Sequence, residues 1–175
     1  MHHIEAPYDH RLNTEKETSI FLGGGISNCK NWHKKLVGEL AFGKFPITVI
    51  NPRRENFDIA KQEESLIQIK WEHKYLRLVD IIVFYFCEET VCPITLFELG
   101  AALERNLNKD NPQRILVYCE PNYIRKFDVG IQTQLINDAV QSNRINNAFV
   151  YDSYEDFVEN IKVALYSVYN EKNSV

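Results

Sequence analysis

A three-layer α/β sandwich around a five-stranded parallel sheet is the fold class the sequence predicts. Short apolar or β-branched runs and helical segments alternate five times along 175 residues. One run, "DIIVFYF" (80–86), is apolar at every position after its first, the pattern of a strand covered on both faces. Parallel strands need crossover connections, and these are right-handed, so helices should cover both faces of the sheet.

Residues 1–17 are polar and are expected to form a flexible lead-in to a single domain, 18–175, with no internal repeat or linker. "SIFL" (19–22) is the first expected strand and runs into three glycines. "NCKNWHKKLVGEL" (28–40) has helical spacing at Trp32, Leu36 and Leu40. "FPITVINP" (45–52) is β-branched and stops at Pro52, as a strand would. The helix that follows takes Leu66, Ile69 and Leu76 as its apolar positions and Lys70, Lys74 and Arg77 as its polar stripe. After the third strand, "CPITLFELGAAL" (92–103) begins a helix over about 95–106. "RILVYCE" (114–120) is a strand, "IQTQLINDAVQS" (131–142) a helix and "AFVYD" (148–152) the fifth strand. Ser153 is placed to cap the closing helix, with Asp156 in its first turn.

Composition excludes several function classes. The net charge is −4 and the pI about 5.8, which argues against nucleic acid as a partner. No apolar run approaches a membrane span, and the polar N-terminus does not read as a signal peptide. Cys29, Cys87, Cys92 and Cys119 form no CxxC pair and have no histidine cluster at metal spacing. Four reduced thiols, no metal and a cytoplasmic setting are therefore expected.

Ligands of open parallel sheets bind past the carboxyl ends of the strands, where the strand order reverses. The loops there carry the unusual residues: Gly23, Gly24 and Gly25 after the first strand, "NPRRENFD" (51–58) after the second, and "CEETVCPITLFELG" (87–100) after the third. Three glycines allow backbone N–H groups close to a ligand, although a turn alone would need only one. They do not form a P-loop or a GxGxxG motif.

Two acids stand out on apolar segments. Glu98 has two readings. In "TLFE" it fits a capping box and would bond back to Thr95. Among Leu96, Phe97, Leu99 and Ala101, at the carboxyl end of a sheet, it equally fits a nucleophile, with Gly100 letting the helix sit close to its neighbours. Glu72 lies beside the inward stripe of its helix, with Ile69, Tyr75 and Leu76 as helical neighbours. It needs a partner there, either Arg53 or Arg54 or a ligand.

"FLGGGIS", "VINPRRENFD", "QIKWEHKYLRLVDIIVFYF", "ETVCPITLFELGAAL" and "FDVGIQTQL" together resemble the nucleoside 2-deoxyribosyltransferase-like family. The resemblance implies a flavodoxin-like domain, homo-oligomeric, that takes small-molecule nucleosides or nucleotides and free nucleobases and needs no cofactor. It implies transfer of a deoxyribosyl group between bases through a covalent glutamyl intermediate. Glu98 matches the nucleophile and Glu72 the acid that contacts the base, while Gly23, Gly24 and Gly25 match the pocket-lining turn. Phe21 stands where the better-known members carry a tyrosine. Asn51, Arg53, Arg54 and Asp58 match a branch motif on the substrate side. Glu89, beside Glu88, is the loose counterpart of an aspartate that holds the deoxyribose hydroxyls. An N-glycosidase that uses water as acceptor, or a nucleotide-binding module without turnover, would share these residues.

Overall fold

The computed structural model describes residues 1–41, 45–58, 60–107, 111–139 and 148–174. Its strands are β1 (His2–Glu5), β2 (Thr18–Gly24), β3 (Ile47–Asn51), β4 (Ile81–Phe86), β5 (Arg114–Cys119) and β6 (Ala148–Tyr151). Its helices are α1 (Trp32–Leu40), α2 (Gln62–Leu78), α3 (Pro93–Leu107), α4 (Lys126–Ala139) and α5 (Tyr154–Asn173). The strands form one parallel sheet in the order β1-β3-β2-β4-β5-β6. β4 is buried at every position, as its unbroken apolar run requires.

The chain steps one way from β2 to β3 and the other way from β3 through β6. Right-handed crossovers then put α2, α3 and α4 on one face and α1 on the other. α5 returns beneath β2 and β5 and meets α1, while α3 meets α4. The order reverses about β2, so the carboxyl ends of β2, β3 and β4 frame the crevice.

The sheet has six strands, not the expected five. The extra one, β1, comes from the segment read as a lead-in and pairs in register from His2↔Thr48 to Glu5↔Asn51. An edge strand four residues long, with only Ile4 apolar, carries no alternation to read. The residues after it lie against α2: the Trp71 indole donates to the Tyr8 carbonyl at 2.8 Å and the Tyr75 hydroxyl to Asp9 at 2.7 Å.

The inward face of α2 also differs from the expected one. Gln68, Trp71, Tyr75 and Leu76 are buried, whereas Leu66 and Ile69 are exposed. Trp71 and Tyr75 at i and i+4 set the stripe. α4 begins five residues before the expected Ile131 and runs through Gly130, while 140–142 of that expected helix lie outside the described residues. Among the described residues, no helix is long and apolar enough to cross a membrane.

Candidate active site

The glycine turn is shaped by an aromatic stack. Trp32, the first residue of α1, lies flat on Tyr85 of β4, with ring centroids 4.6 Å apart and planes within 6°. Its indole N–H donates to the Gly25 carbonyl at 3.0 Å. A Cβ on Gly24 would stand 2.4 Å from Trp32 Cζ2 and 2.6 Å from the Tyr85 carbonyl oxygen, so only glycine fits there. A Cβ on Gly23 would press on Phe84 at 2.9 Å. The need for glycine is thus set first by packing, and the bare backbone it leaves forms one wall of a cavity of about 380 Å³.

The opposite wall comes from α2 and α3. Glu72 and Glu98 both face the cavity, with Phe21 and Arg54 beside them. α3 starts at Pro93, a residue suited to a first helical position, and the Leu96 amide donates to the Cys92 carbonyl at 3.0 Å. Thr95 is therefore already inside the helix and is not its cap. Among the described residues, no hydrogen bond joins Glu98 to Thr95, so the capping-box alternative does not hold. The glycine after it does not serve close packing either. Gly100 is exposed, and a Cβ there would meet nothing within 4 Å.

Burial pushes the Glu98 carboxyl up to about 8, and the charge of Glu72 adds to the shift. Glu98 lies in the second turn of α3, beyond the reach of the helix terminus, so burial outweighs the anion stabilisation expected there. Burial raises Glu72 as well, offset in part by the Gln68 amide. Gln68 Nε2 donates to Glu72 Oε1 and to the Pro52 carbonyl, each at 2.8 Å. The partner of Glu72 is thus Gln68 and not an arginine. Arg54 pairs with Glu64 at 3.3 Å, and Arg53 donates to the carbonyls of Cys29 and Lys30. Two carboxyls in one apolar cavity are both shifted upward, the arrangement in which neighbouring acids titrate as a pair.

Several residues expected on the substrate side do not line this cavity. Asn51 is buried and spends its side chain on the Arg53 amide and His3. Arg53 braces the loop after β2. Asp58 is exposed and accepts from the Ala60 amide at 3.0 Å. Glu89 is exposed on the far side of the glycine turn, 3.9 Å from Lys30. Gln68 escaped notice in the sequence, although its place four residues before Glu72 puts both on one helical face. Glu120 was also missed. It is buried, bonds Tyr85 and Lys30, and accepts from the Glu88 amide at 3.0 Å, so it ties together the loops after β2 and β4. Burial alone would raise its carboxyl, but Lys30 and Tyr85 hold it low.

The four-thiol expectation fails. Cys29 and Cys87 are joined by a disulfide, their Cα atoms 6.4 Å apart, while Cys92 and Cys119 are free and buried. No local spacing could show this. The pair meets because β2 and β4 are neighbours, in register at Gly24↔Tyr85. The expected reducing setting rested on those thiols and loses that support.

The nucleoside 2-deoxyribosyltransferase-like family model matches residues 17–123. The chain belongs to this family. Among curated proteins none matches it. The family match begins at β2 and ends just after β5, so it spans the glycine turn, Glu72 and Glu98. For a member of the nucleoside 2-deoxyribosyltransferase-like family, the natural ligands are small molecules of the nucleoside and nucleobase class.

Proposed function

We propose that this protein transfers a 2-deoxyribosyl group between nucleobases, with Glu98 as nucleophile and Glu72 as proton donor. The observation that carries the reading is the pair of upward-shifted carboxyls facing each other's charge in one cavity beside a bare glycine wall. The site-bound proton passes to Glu72 as the nucleoside binds. The Glu98 carboxylate attacks C1′ and the C1′–N bond breaks. Glu72 gives its proton to the departing base. A second base then attacks C1′ from the face the first one left, releasing Glu98 and returning a proton to Glu72, with net retention. Arg54 and Gln68 flank Glu72 and suit contact with the polar edge of the base. The working form is a homo-oligomer.

The test is base exchange between a deoxynucleoside and a labelled free base, followed by chromatography. Glu98→Ala should lower exchange by at least about a thousandfold. Mass spectrometry of the protein with donor alone should show a deoxyribosyl adduct on the Glu98 peptide. Full exchange by the variant, or an adduct elsewhere, would refute the assignment. A second reading, an N-glycosidase acting on a nucleotide, draws on Arg54, whose Nη1 is without a hydrogen-bond partner among the described residues. Base release that continues unchanged without acceptor base, and only from 5′-phosphorylated donors, would favour it.

A further inference from the structure

Three sulfurs converge behind the glycine wall. They come from the loop after β2 (Cys29), the end of β4 (Cys87) and the residue before α3 (Cys92). A Cβ on Gly25 would lie 2.5 Å from Cys87 Sγ, 2.9 Å from Cys92 Sγ and 3.1 Å from Cys29 Sγ, so the missing side chain of this glycine makes room for all three. Cys29 and Cys87 are bonded, and the free Cys92 Sγ stands 3.7 Å from Cys87 Sγ, in contact with the bond. Both loops that bring in the outer cysteines carry a non-glycine residue in the left-handed region: Asn28 at φ 55° and Cys92 itself at φ 50°. Such positions persist only where the surroundings hold them.

The position of the three relative to the cavity assigns them roles. Cys87 is wholly buried, Cys92 is 4% exposed and Cys29 9%, and neither member of the bonded pair lines the cavity. Cys92 is also buried from water overall but forms part of the cavity lining. We propose that Cys29, Cys87 and Cys92 form a thiol–disulfide exchange site, in which Cys92 carries the bond from the buried pair to the cavity, where a small dithiol reductant reaches it.

The exchange balances without an added oxidant. The Cys92 thiol gives up its proton, and its thiolate attacks Cys87 Sγ. The Cys87–Cys92 bond forms as the Cys29–Cys87 bond breaks, and Cys29 leaves as a thiolate that takes up a proton. A thiolate of the dithiol then attacks Cys92 Sγ from the cavity, releasing Cys87 as a thiol. The reductant's second thiol closes on the mixed disulfide and releases Cys92. The dithiol ends as a cyclic disulfide, and Cys29, Cys87 and Cys92 all end as thiols. Burial keeps the Cys92 thiol up, with Glu89 and Glu120 adding to this, so the first step is slow near neutral pH.

The cluster backs the wall that faces Glu98. Once the bond leaves Cys29, the β2 loop loses its covalent tie to β4 and keeps non-covalent ones: the Trp32 indole bond to Gly25, the Gly25 amide bond to the Tyr85 carbonyl, the Arg53 bonds to Cys29 and Lys30, and the Lys30–Glu120 pair. The exchange thus changes how firmly the glycine wall is held.

The test needs no nucleoside, so it stands apart from the deoxyribosyl-transfer reading. The full chain, purified without reductant, is quenched in acid, alkylated and mapped by mass spectrometry. The expected map links Cys29 to Cys87, with a minor Cys87–Cys92 link and Cys119 free. Cys29→Ser should place the whole bond at Cys87–Cys92. Cys92→Ser keeps the Cys29–Cys87 bond, and dithiothreitol should then reduce it several-fold more slowly than in the unaltered protein. This arm holds even where Cys29→Ser does not fold. Equal reduction rates for the two proteins would overturn the proposal. So would four free thiols, with or without a zinc ion held at Cys29, Cys87 and Glu89, whose ligand atoms lie within 4.8 Å of one another.

Discussion

Glu98 concentrates the tension between stability and chemistry in this protein. Its carboxyl sits at about 8 in the folded chain, against an ordinary value of 4.5. A carboxyl raised on folding binds its proton more tightly in the native state. The stability linked to that proton is complete below about pH 4.5 and is lost as pH rises through about 8. Glu98→Gln, which keeps the shape and removes the charge, should therefore melt higher than the unaltered protein at pH 9. The difference should be on the order of 3 kcal/mol and close by pH 4. Thermal scans at the two pH values check this, and a gap independent of pH would show that Glu98 is not buried as an anion. The same proton shapes the rate. The pair needs one proton, so kcat/KM should be bell-shaped and fall about tenfold per pH unit above about 8, when the last proton leaves. The two acids were legible because Glu98 stands on an apolar segment and Glu72 stands beside the inward stripe of its helix. Asn51, Arg53 and Asp58 were not separable from Arg54, since side chains in an irregular loop follow no period that says which way they point.

At the scale of elements, α3 shows where reading a motif by its letters misleads. "TLFE" has the letters of a capping box, but Pro93 starts the helix two residues earlier and moves Thr95 inside it. Gly100 then becomes an exposed residue in mid-helix with empty space over its Cα. Gly100→Ala should raise stability by about 0.5–1 kcal/mol through helix propensity, with base exchange unchanged. A fall in stability would mean that a neighbour packs on that position. The glycine turn predicts the reverse. Gly24→Ala would drive a methyl into Trp32 and the Tyr85 carbonyl and should cost about 1–3 kcal/mol, read from denaturant midpoints. The order of strands and helices was legible because the central strands are unbroken buried runs and the helix that starts at Trp32 buries a periodic face. β1 was not, because an edge strand buries little and is held by backbone pairing that any sequence can make.

At the scale of the molecule, the two faces of the sheet are finished differently. α1 and α5 cover one face and meet each other. On the other face, α3 and α4 pack together yet leave large apolar side chains outside: Phe97 is 77% exposed and Phe127 78%, with Ile94 on α3 and Ile124 in the turn just before α4 close behind. Single apolar residues on a surface are ordinary, but several on two adjoining helices form a patch of the kind that marks an interface. Ile94 also lines the cavity, so whatever covers α3 meets the edge of the active site. A second copy of the chain is the occupant that the proposed homo-oligomer requires. Phe97→Glu and Phe127→Glu would each place a charge at the centre of that contact, where an unpaired charge is costly to bury. In sedimentation at micromolar protein, the unaltered chain should run as an oligomer and the double variant as a monomer, with the fold intact by circular dichroism. A loss of exchange activity in that folded monomer would tie assembly to the site. A monomeric unaltered chain would remove the homo-oligomer and leave the patch to a different partner.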